Sequence, residues 1–437
     1  MKIHFVGIGG IGVSALSRYY LAHGWQVSGS DLSQSELTDN LKNIGIEIHI
    51  GEHNAMSLAK DTNIVVYSIA VGEDNLELQK ARKLNIKTQT YPQALGEIVK
   101  KHFTIAVCGA HGKGTTTALI SLIMIKAGLD PSVIIGTNLK EFDNTNCRIG
   151  KSEYLVVEAD EYKKAFLNYW PKIIVNTNID KEHLDCYQDI DEISQTFIEF
   201  FNHLPENGTL ILNNDNQYTL WLKNGVKNSK YAVQTYSTAQ IEIKEIRKIL
   251  QIPGKHNVSN ALAALAVARS ISIPDKISYQ AMSEFNGAWR RMEIIQQRPF
   301  VLISDYAHHP TEVRATLQGI KEKFPKQKII VVFQPHQYKR TFYLFDEFVN
   351  AFNDADEIIL SKIYSVAGRE SKEIMEKVNA EKLAEKIKKT GKEVFFIKEI
   401  SDIPEFVKKR VQPDNIVVVM GAGDIYKITK ELSFGLD

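Results

Sequence analysis

Residues 103 to 117 read Phe-Thr-Ile-Ala-Val-Cys-Gly-Ala-His-Gly-Lys-Gly-Thr-Thr-Thr: an apolar, β-branched run, then Gly109, Gly112 and Lys113, then the helix-forming Ala118-Leu119-Ile120. A buried strand that ends in glycines and opens into a helix turns free backbone N–H groups and a positive dipole end toward an anion, here with a lysine beside them. That chemistry is a cradle for the phosphates of a nucleotide. The loop departs from the common eight-residue pattern, which needs glycine where this chain has Val107 and Ser or Thr where it has Gly114. The competing reading is a strand-to-helix turn whose glycines serve geometry and whose lysine is solvated.

A second glycine turn, Gly7-Ile8-Gly9-Gly10-Ile11-Gly12, follows the first apolar run, with Asp31 further on. Glycines there admit a diphosphate to a helix N-terminus, and an acid at that distance meets a ribose. The pattern does not separate a nicotinamide cofactor from another ribose-borne diphosphate, so a dehydrogenase built on this turn stands as an alternative. Glu158-Ala159-Asp160-Glu161 and Asn178-Ile179-Asp180-Lys181-Glu182-His183-Leu184-Asp185 each follow an apolar run. Carboxylates and a histidine at strand ends near a phosphate loop supply ligands for a divalent cation; helix capping is the plainer role. Asn257 and Asn260 lie three apart ahead of an alanine-rich segment, on one helix face, where amides can read a base edge or cap the helix. Two further polar clusters, Asp305 to Glu312 and Gln334 to Arg340, also end apolar runs.

The elements that position these groups are short β-branched runs, each followed by a turn and a segment of helical period: Ile3 to Val6, Ile64 to Tyr67, Thr104 to Val107, Leu155 to Val157, Ile173 to Val175, Ile329 to Phe333 and Ile416 to Val419. Such alternation predicts an α/β fold, with parallel sheets covered by helices and ligands at the strand ends. Three units fit the 437 residues: 1–98, 99–296 and 297–437. The Lys-rich stretch Lys382 to Lys392 reads as a solvated helix face. Lys and Arg number 53 against 52 Asp and Glu, so no overall field favours nucleic acid or an anionic membrane. Three cysteines, Cys108, Cys147 and Cys186, are too few and scattered for a disulfide framework or a thiolate zinc site, and no run reaches the roughly 18 apolar residues of a membrane span. The expectation is a cytoplasmic protein.

In their order, the two glycine turns, Glu158 to Glu161, Asn178-Ile179-Asp180 with His183, His256-Asn257, Arg290-Arg291, Asp305 to Pro310, Gln334-Pro335-His336 and Gly421 to Ile425 resemble the Mur ligases across essentially the whole chain. The resemblance implies a Rossmann-like N-terminal domain for a UDP-sugar, a central P-loop-type ATPase sheet for MgATP, and a Rossmann-like C-terminal domain that brings the amino acid and closes over the site. It implies ATP-driven joining of L-alanine to the carboxylate of UDP-N-acetylmuramate through an acyl phosphate, in peptidoglycan precursor synthesis; a ligase adding a recycled tripeptide is the alternative. Residue by residue, it assigns Gly7, Gly9, Gly10, Gly12, Asp31 and Ser68 to the UDP-sugar. Gly109, Ala110, His111, Gly112, Lys113, Gly114, Thr115, Thr116, Asn257, Asn260 and Arg291 go to ATP, and Glu158 and His183 to magnesium. Lys113, His183, His308, His336 and Arg340 are the catalytic candidates. Gly114 stands where the family has Thr or Ser, Ala110 where it has Thr, and Gln337 where it has Arg. The expectation for the first of these is that Thr115 supplies the missing hydroxyl to the metal.

Overall fold

The computed structural model of the chain describes residues 1–183, 186–366, 370 and 372–433. Three sheets follow one another in sequence, each mostly parallel, as the alternating pattern requires. The first consists of β1 (Lys2–Val6), β2 (Gln26–Asp31), β3 (Glu47–Ile50), β4 (Ile64–Tyr67) and β5 (Lys87–Thr90), in the order β3-β2-β1-β4-β5, all parallel. The most buried strand, β1, takes the centre, where both faces are covered.

The second sheet contains β6 (Phe103–Cys108), β7 (Ser132–Leu139), β8 (Thr145–Arg148), β9 (Tyr154–Glu158), β10 (Ile173–Asn176), β11 (Thr209–Asn213) and β12 (Ala232–Tyr236), ordered β12-β11-β10-β6-β9-β7-β8. Only β8, the partner of β7 in a hairpin, runs antiparallel. The central strand β6 lies between β9 and β10, in register at Val107↔Glu158 and Cys108↔Asn176. The phosphate-type loop therefore leaves the sheet level with both polar motifs that the sequence places after β9 and β10.

The third sheet contains β13 (Glu293–Gln296), β14 (Val301–Asp305), β15 (Ile329–Phe333), β16 (Glu357–Leu360), β17 (Glu393–Phe396) and β18 (Ile416–Met420), ordered β13-β14-β18-β15-β16-β17, with β13 alone antiparallel. This sheet begins four residues ahead of the unit expected from 297, at Glu293. Ile329, Val331 and Phe333 face one apolar layer and Ile330 and Val332 the other, the period-2 alternation of a strand buried on both faces. At roughly 1.5–3 kcal/mol per buried aliphatic side chain, those layers hold the sheet. Asp305, Met420 and Phe333 are cross-strand partners, so the loops after β14, β18 and β15 start from one edge.

The chain forms two compact units. One comprises Met1–Lys181, Ile190–Gln240 and Asn260–Met282, with the first two sheets; the other comprises Glu182–Asp189, Ile241–Ser259 and Ser283–Asp437, with the third. Within the first unit the two sheets are joined by close polar contacts. The Asn146 amide on β8 donates to the Ile11 carbonyl (2.6 Å) and the Ser14 hydroxyl (3.0 Å) of the helix Ile11–Ala22. A Cβ on Gly96 would lie 2.3 Å from the Asn168 carbonyl oxygen, so the helix Tyr91–Val99 meets the second sheet's own loop backbone. The helix Ala380–Lys388 buries Leu383, Ala384 and Ile387, with its lysines on the other face as expected. No helix among the described residues is long and apolar enough to cross a membrane.

Candidate active site

β6 ends at Cys108 and the helix Lys113–Lys126 begins after the turn Gly109–Gly112. Gly109 has φ +126° and Gly112 φ +82°, values that favour glycine. Space makes the same demand: a Cβ would stand 2.3 Å from Thr177 Oγ1 at Gly109 and 2.3 Å from Asn260 Oδ1 at Gly112. The segment after β10 clamps the turn. Asn178 accepts from the amides of Ala110 (3.2 Å, through its carbonyl) and His111 (2.9 Å, through Oδ1). The His111 carbonyl in turn accepts from Thr177 Oγ1 (2.6 Å) and Asn178 Nδ2 (2.9 Å), and the His111 ring meets Asp180 at 3.0 Å. No side chain caps the helix that follows, so its first-turn amides have no intrahelical acceptor and face whatever anion the turn receives.

Lys113 folds back over this turn. Its Nζ donates to the carbonyls of Gly109 (2.6 Å) and Ala110 (3.3 Å) and to the Glu161 carboxylate (3.0 and 3.3 Å). Burial alone would lower the pKa of the ammonium, but Glu161, then Asp160, outweighs it and raises the pKa, so the lysine stays charged. Glu161, marked from sequence only as one of a string of carboxylates suited to a divalent cation, is thus the residue that holds the lysine in place.

Glu158 ends β9 and accepts from the Gly136 amide. A Cβ on Gly114 would lie 2.9 Å from Glu158 Oε1, so a side chain at 114 would touch this carboxylate, as one at Gly136 would from the other side. Thr115 is buried about 100° further round the helix. The hydroxyls of Thr116 and Thr117 are buried without a partner. Asn260 abuts Gly112, whereas Asn257 is the third residue of the helix Lys255–Ser270, not its cap, and donates to the Pro253 carbonyl at 2.7 Å. The two asparagines fall in different compact units.

The first glycine turn is built on the same plan. Gly7 has φ +77°, and the Ser30 carbonyl at the end of β2 accepts from the amides of Gly7 (2.8 Å) and Ile8 (3.0 Å). Asp31 accepts from the Gly9 amide at 2.8 Å, so this acid holds the turn itself. Ser68 lies against Gly7, where a Cβ would approach its own within 3.0 Å. Gly12 is small because Tyr91 packs on it: a Cβ there would be 2.7 Å from the phenol ring. Gly10 caps the helix Ile11–Ala22 without a side-chain bond, leaving the first-turn amides open.

The second unit gathers its own cluster at the edge of the third sheet. Glu312 accepts from the amides of His308 (3.0 Å) and His309 (3.2 Å) and lies 3.1 Å from the His308 ring. The His308 ring meets Tyr306 and His336 edge-on, and His336 stacks on Tyr364 at 5.5 Å. Arg340 donates to His336 Nδ1 (3.2 Å) and to Glu182 (3.0 Å). Burial would raise the Glu182 pKa, but Arg340, followed by His309, His183 and His308, holds it well below the usual carboxylate range. Gln337 adopts φ +70° with its amide on the Tyr364 carbonyl. Arg290 lies buried among Trp289, Tyr306 and Tyr426 and donates to the carbonyls of Gly421 and Gly423, and Arg291 lies over Tyr306. His183, φ +55°, belongs to this unit, and its neighbours Leu184 and Asp185 lie outside the described residues. Thr177, Asn178 and Tyr91 are contributors that sequence reasoning left without a role, and Glu161 and Glu182, read there as carboxylates suited to a divalent cation, instead hold Lys113 and Arg340.

Comparison with known proteins bears on the same residues. Three family models match in sequence: "Mur ligase family, catalytic domain" over residues 2–103, "Mur ligase middle domain" over 107–268 and "Mur ligase, glutamate ligase domain" over 290–423. The chain is 40% identical to a UDP-N-acetylmuramate–L-alanine ligase of Clostridium novyi, covering 98% of this chain and 96% of that one. It is 36% identical to one of Sulfurihydrogenibium sp. over 99% and 97%. Among solved structures, the UDP-N-acetylmuramate-alanine ligase of Thermotoga maritima superposes with TM-score 0.83 at 27% identity, over 99% of this chain and 98% of that one. A murein peptide ligase from Psychrobacter arcticus shares the fold with TM-score 0.74 at 23% identity, over 99% and 98%.

Proposed function

Since this chain belongs to the Mur ligase family, we propose that it joins L-alanine to the carboxylate of UDP-N-acetylmuramate at the expense of ATP, in cytoplasmic peptidoglycan precursor synthesis. The observation that carries the reading is the clamped turn Gly109–Gly112 with the charged, half-buried Lys113 folded over it. In this reading residues 1–98 hold the UDP-sugar, 99–296 ATP and 297–437 the amino acid. The muramate carboxylate attacks the γ-phosphate, ADP leaves, and the alanine amine then displaces phosphate from the acyl phosphate. Phosphoryl transfer asks the protein mainly for positioning and for cationic and N–H groups around the moving charge. Lys113 and the first-turn amides of the helix Lys113–Lys126 meet that demand, and Glu161 fixes where the ammonium stands. Gly109, Ala110, His111, Gly112, Gly114, Thr115, Thr116, Asn257, Asn260 and Arg291 complete the ATP site.

The residues suit magnesium: Glu158 turns a hard carboxylate oxygen toward the space a side chain at 114 would fill. Glu158 and His183 would hold the ion, with Thr115 as the candidate hydroxyl, and bound magnesium adds positive charge at the phosphates. Gly7, Gly9, Gly10, Gly12, Asp31 and Ser68 form the UDP-sugar site, where Asp31 acts by holding the Gly9 amide. His308, His336 and Arg340 serve the amino-acid and acyl-phosphate end, tied into one array by Glu312, Tyr364 and Glu182. Phosphate release from ATP, measured with UDP-N-acetylmuramate and each common amino acid, tests the assignment. L-alanine supports the fastest release, and only with the UDP-sugar present; equal turnover with the tripeptide, or turnover without the UDP-sugar, overturns it.

A further inference from the structure

Next to the first glycine turn lies a polar group that the chemistry above does not use. Glu77, in the first turn of the helix Leu76–Lys83, is 0% exposed. Its Oε2 accepts from His4 Nε2 (2.7 Å) and Ser30 Oγ (2.8 Å), and its Oε1 from His53 Nδ1 (3.0 Å). The other nitrogen of His4, a residue 1% exposed on β1, lies 2.8 Å from Ser28 Oγ. Burial by itself would raise the Glu77 pKa, but the bonds from His4, Ser30 and His53 hold it lowered, so the group is a carboxylate that only accepts. Desolvating such a charge costs several kcal/mol, and apolar side chains of similar volume would fill the space at lower cost. A stability role alone therefore does not account for it.

Ser30 connects this group to the turn. Its hydroxyl is held by Glu77, and its carbonyl accepts from both Gly7 and Ile8. We propose that Glu77 is a positioning residue for the UDP-sugar site: by fixing Ser30 at the end of β2 it sets the course of Gly7–Gly10, and with it the first-turn amides of the helix Ile11–Ala22 that receive the diphosphate. The proposal rests on the reading of that turn as the UDP-sugar site. Gln at 77 replaces one accepting oxygen by a donor, which His53 tolerates by presenting its unprotonated nitrogen. Ala removes the acceptor shared by His4, Ser30 and His53 and leaves the Ser30 hydroxyl held only by the His53 ring, 3.0 Å away.

The test is calorimetric titration of UDP-N-acetylmuramate into wild type, Ser30→Ala, Glu77→Gln and Glu77→Ala, each verified as folded, with KM measured for every substrate. Expected is about tenfold weaker binding in Glu77→Ala, a smaller loss in Ser30→Ala and Glu77→Gln, a parallel rise in KM for the UDP-sugar, and KM for ATP unmoved. If Glu77→Ala does not fold, Ser30→Ala carries the test. Variants that melt lower yet bind the UDP-sugar as wild type does make the group merely structural and overturn the proposal. Failure of wild type to bind UDP-N-acetylmuramate overturns the site reading instead.

Discussion

Replacing Gly112 by alanine measures how tightly the phosphate turn is specified. Two costs are visible. An L-residue at φ +82° takes a left-handed conformation worth roughly 1–2 kcal/mol. The new Cβ would also stand 2.3 Å from Asn260 Oδ1 and 3.1 Å from its Cγ, about 1 Å inside ordinary contact. Moving the Asn260 amide out of its rotamer adds roughly 0.5–1.5 kcal/mol. The sum, about 1.5–3.5 kcal/mol, lowers the melting temperature of the first unit by roughly 3–14 °C at the 2–4 °C per kcal/mol expected for domains of this size. A turn displaced by even part of that ångström also lowers kcat/KM for ATP by at least about tenfold. A thermal-shift cycle separates the terms. In an Asn260→Ala background the alanine at 112 meets no amide, and its penalty shrinks to the backbone part. Equal penalties in both backgrounds refute the contact argument, and a penalty below about 0.5 kcal/mol in either refutes the turn geometry as a whole.

Lys113→Ala lowers turnover at least about 100-fold, roughly 3 kcal/mol of transition-state stabilisation, and also lowers the melting temperature because the buried Glu161 loses the ammonium beside it. Adding Glu161→Gln restores the melting temperature but not turnover; recovery of both would remove Lys113 from the chemistry. In a magnesium titration, Thr115→Ala raises the concentration for half-maximal activity while Thr115→Ser does not. If Thr115→Ala leaves the titration unchanged and Gly114→Ser, whose hydroxyl would sit beside Glu158, shifts it to lower magnesium, then the hydroxyl is absent from this chain and not relocated.

What the sequence disclosed follows from how locally each feature is encoded. Each apolar run it marked is a strand, because a strand buried on both faces must be largely apolar: β15 and β18 read this way throughout, and β6 and β10 with one polar residue each, Thr104 and Asn176. Of the strands it passed over, β3 (Glu-Ile-His-Ile) and β5 (Lys-Thr-Gln-Thr) are at sheet edges, half exposed and mixed in character, whereas β2, β7, β11 and β16 lie inside their sheets with polar residues in or at the ends of their apolar stretches. Both glycine turns were legible because positive φ and close approach demand glycine at fixed spacing. Their supports were not, since Asn178, Asn260 and Tyr91 reach them from 67 or more positions away along the chain. Asp31 was read as an acid that meets a ribose, whereas its carboxylate fastens the Gly9 amide, a contact that spacing alone does not express.

The joint between the first two sheets bears on how such a chain can be recombined. Asn146 bonds to the helix that opens at Gly10, and Gly96 meets the Asn168 backbone with no room for a Cβ. A chimera cut at the sequence boundary near 98 would inherit one half of each contact. It would bury an Asn146 amide facing a foreign helix and press any larger residue at 96 into a carbonyl. The exchangeable module is therefore the pair of sheets with their shared hairpin β7–β8. Shuffling for altered sugar recognition is best confined to the loops at the ends of β1, β2 and β4, where the scaffold beneath stays matched.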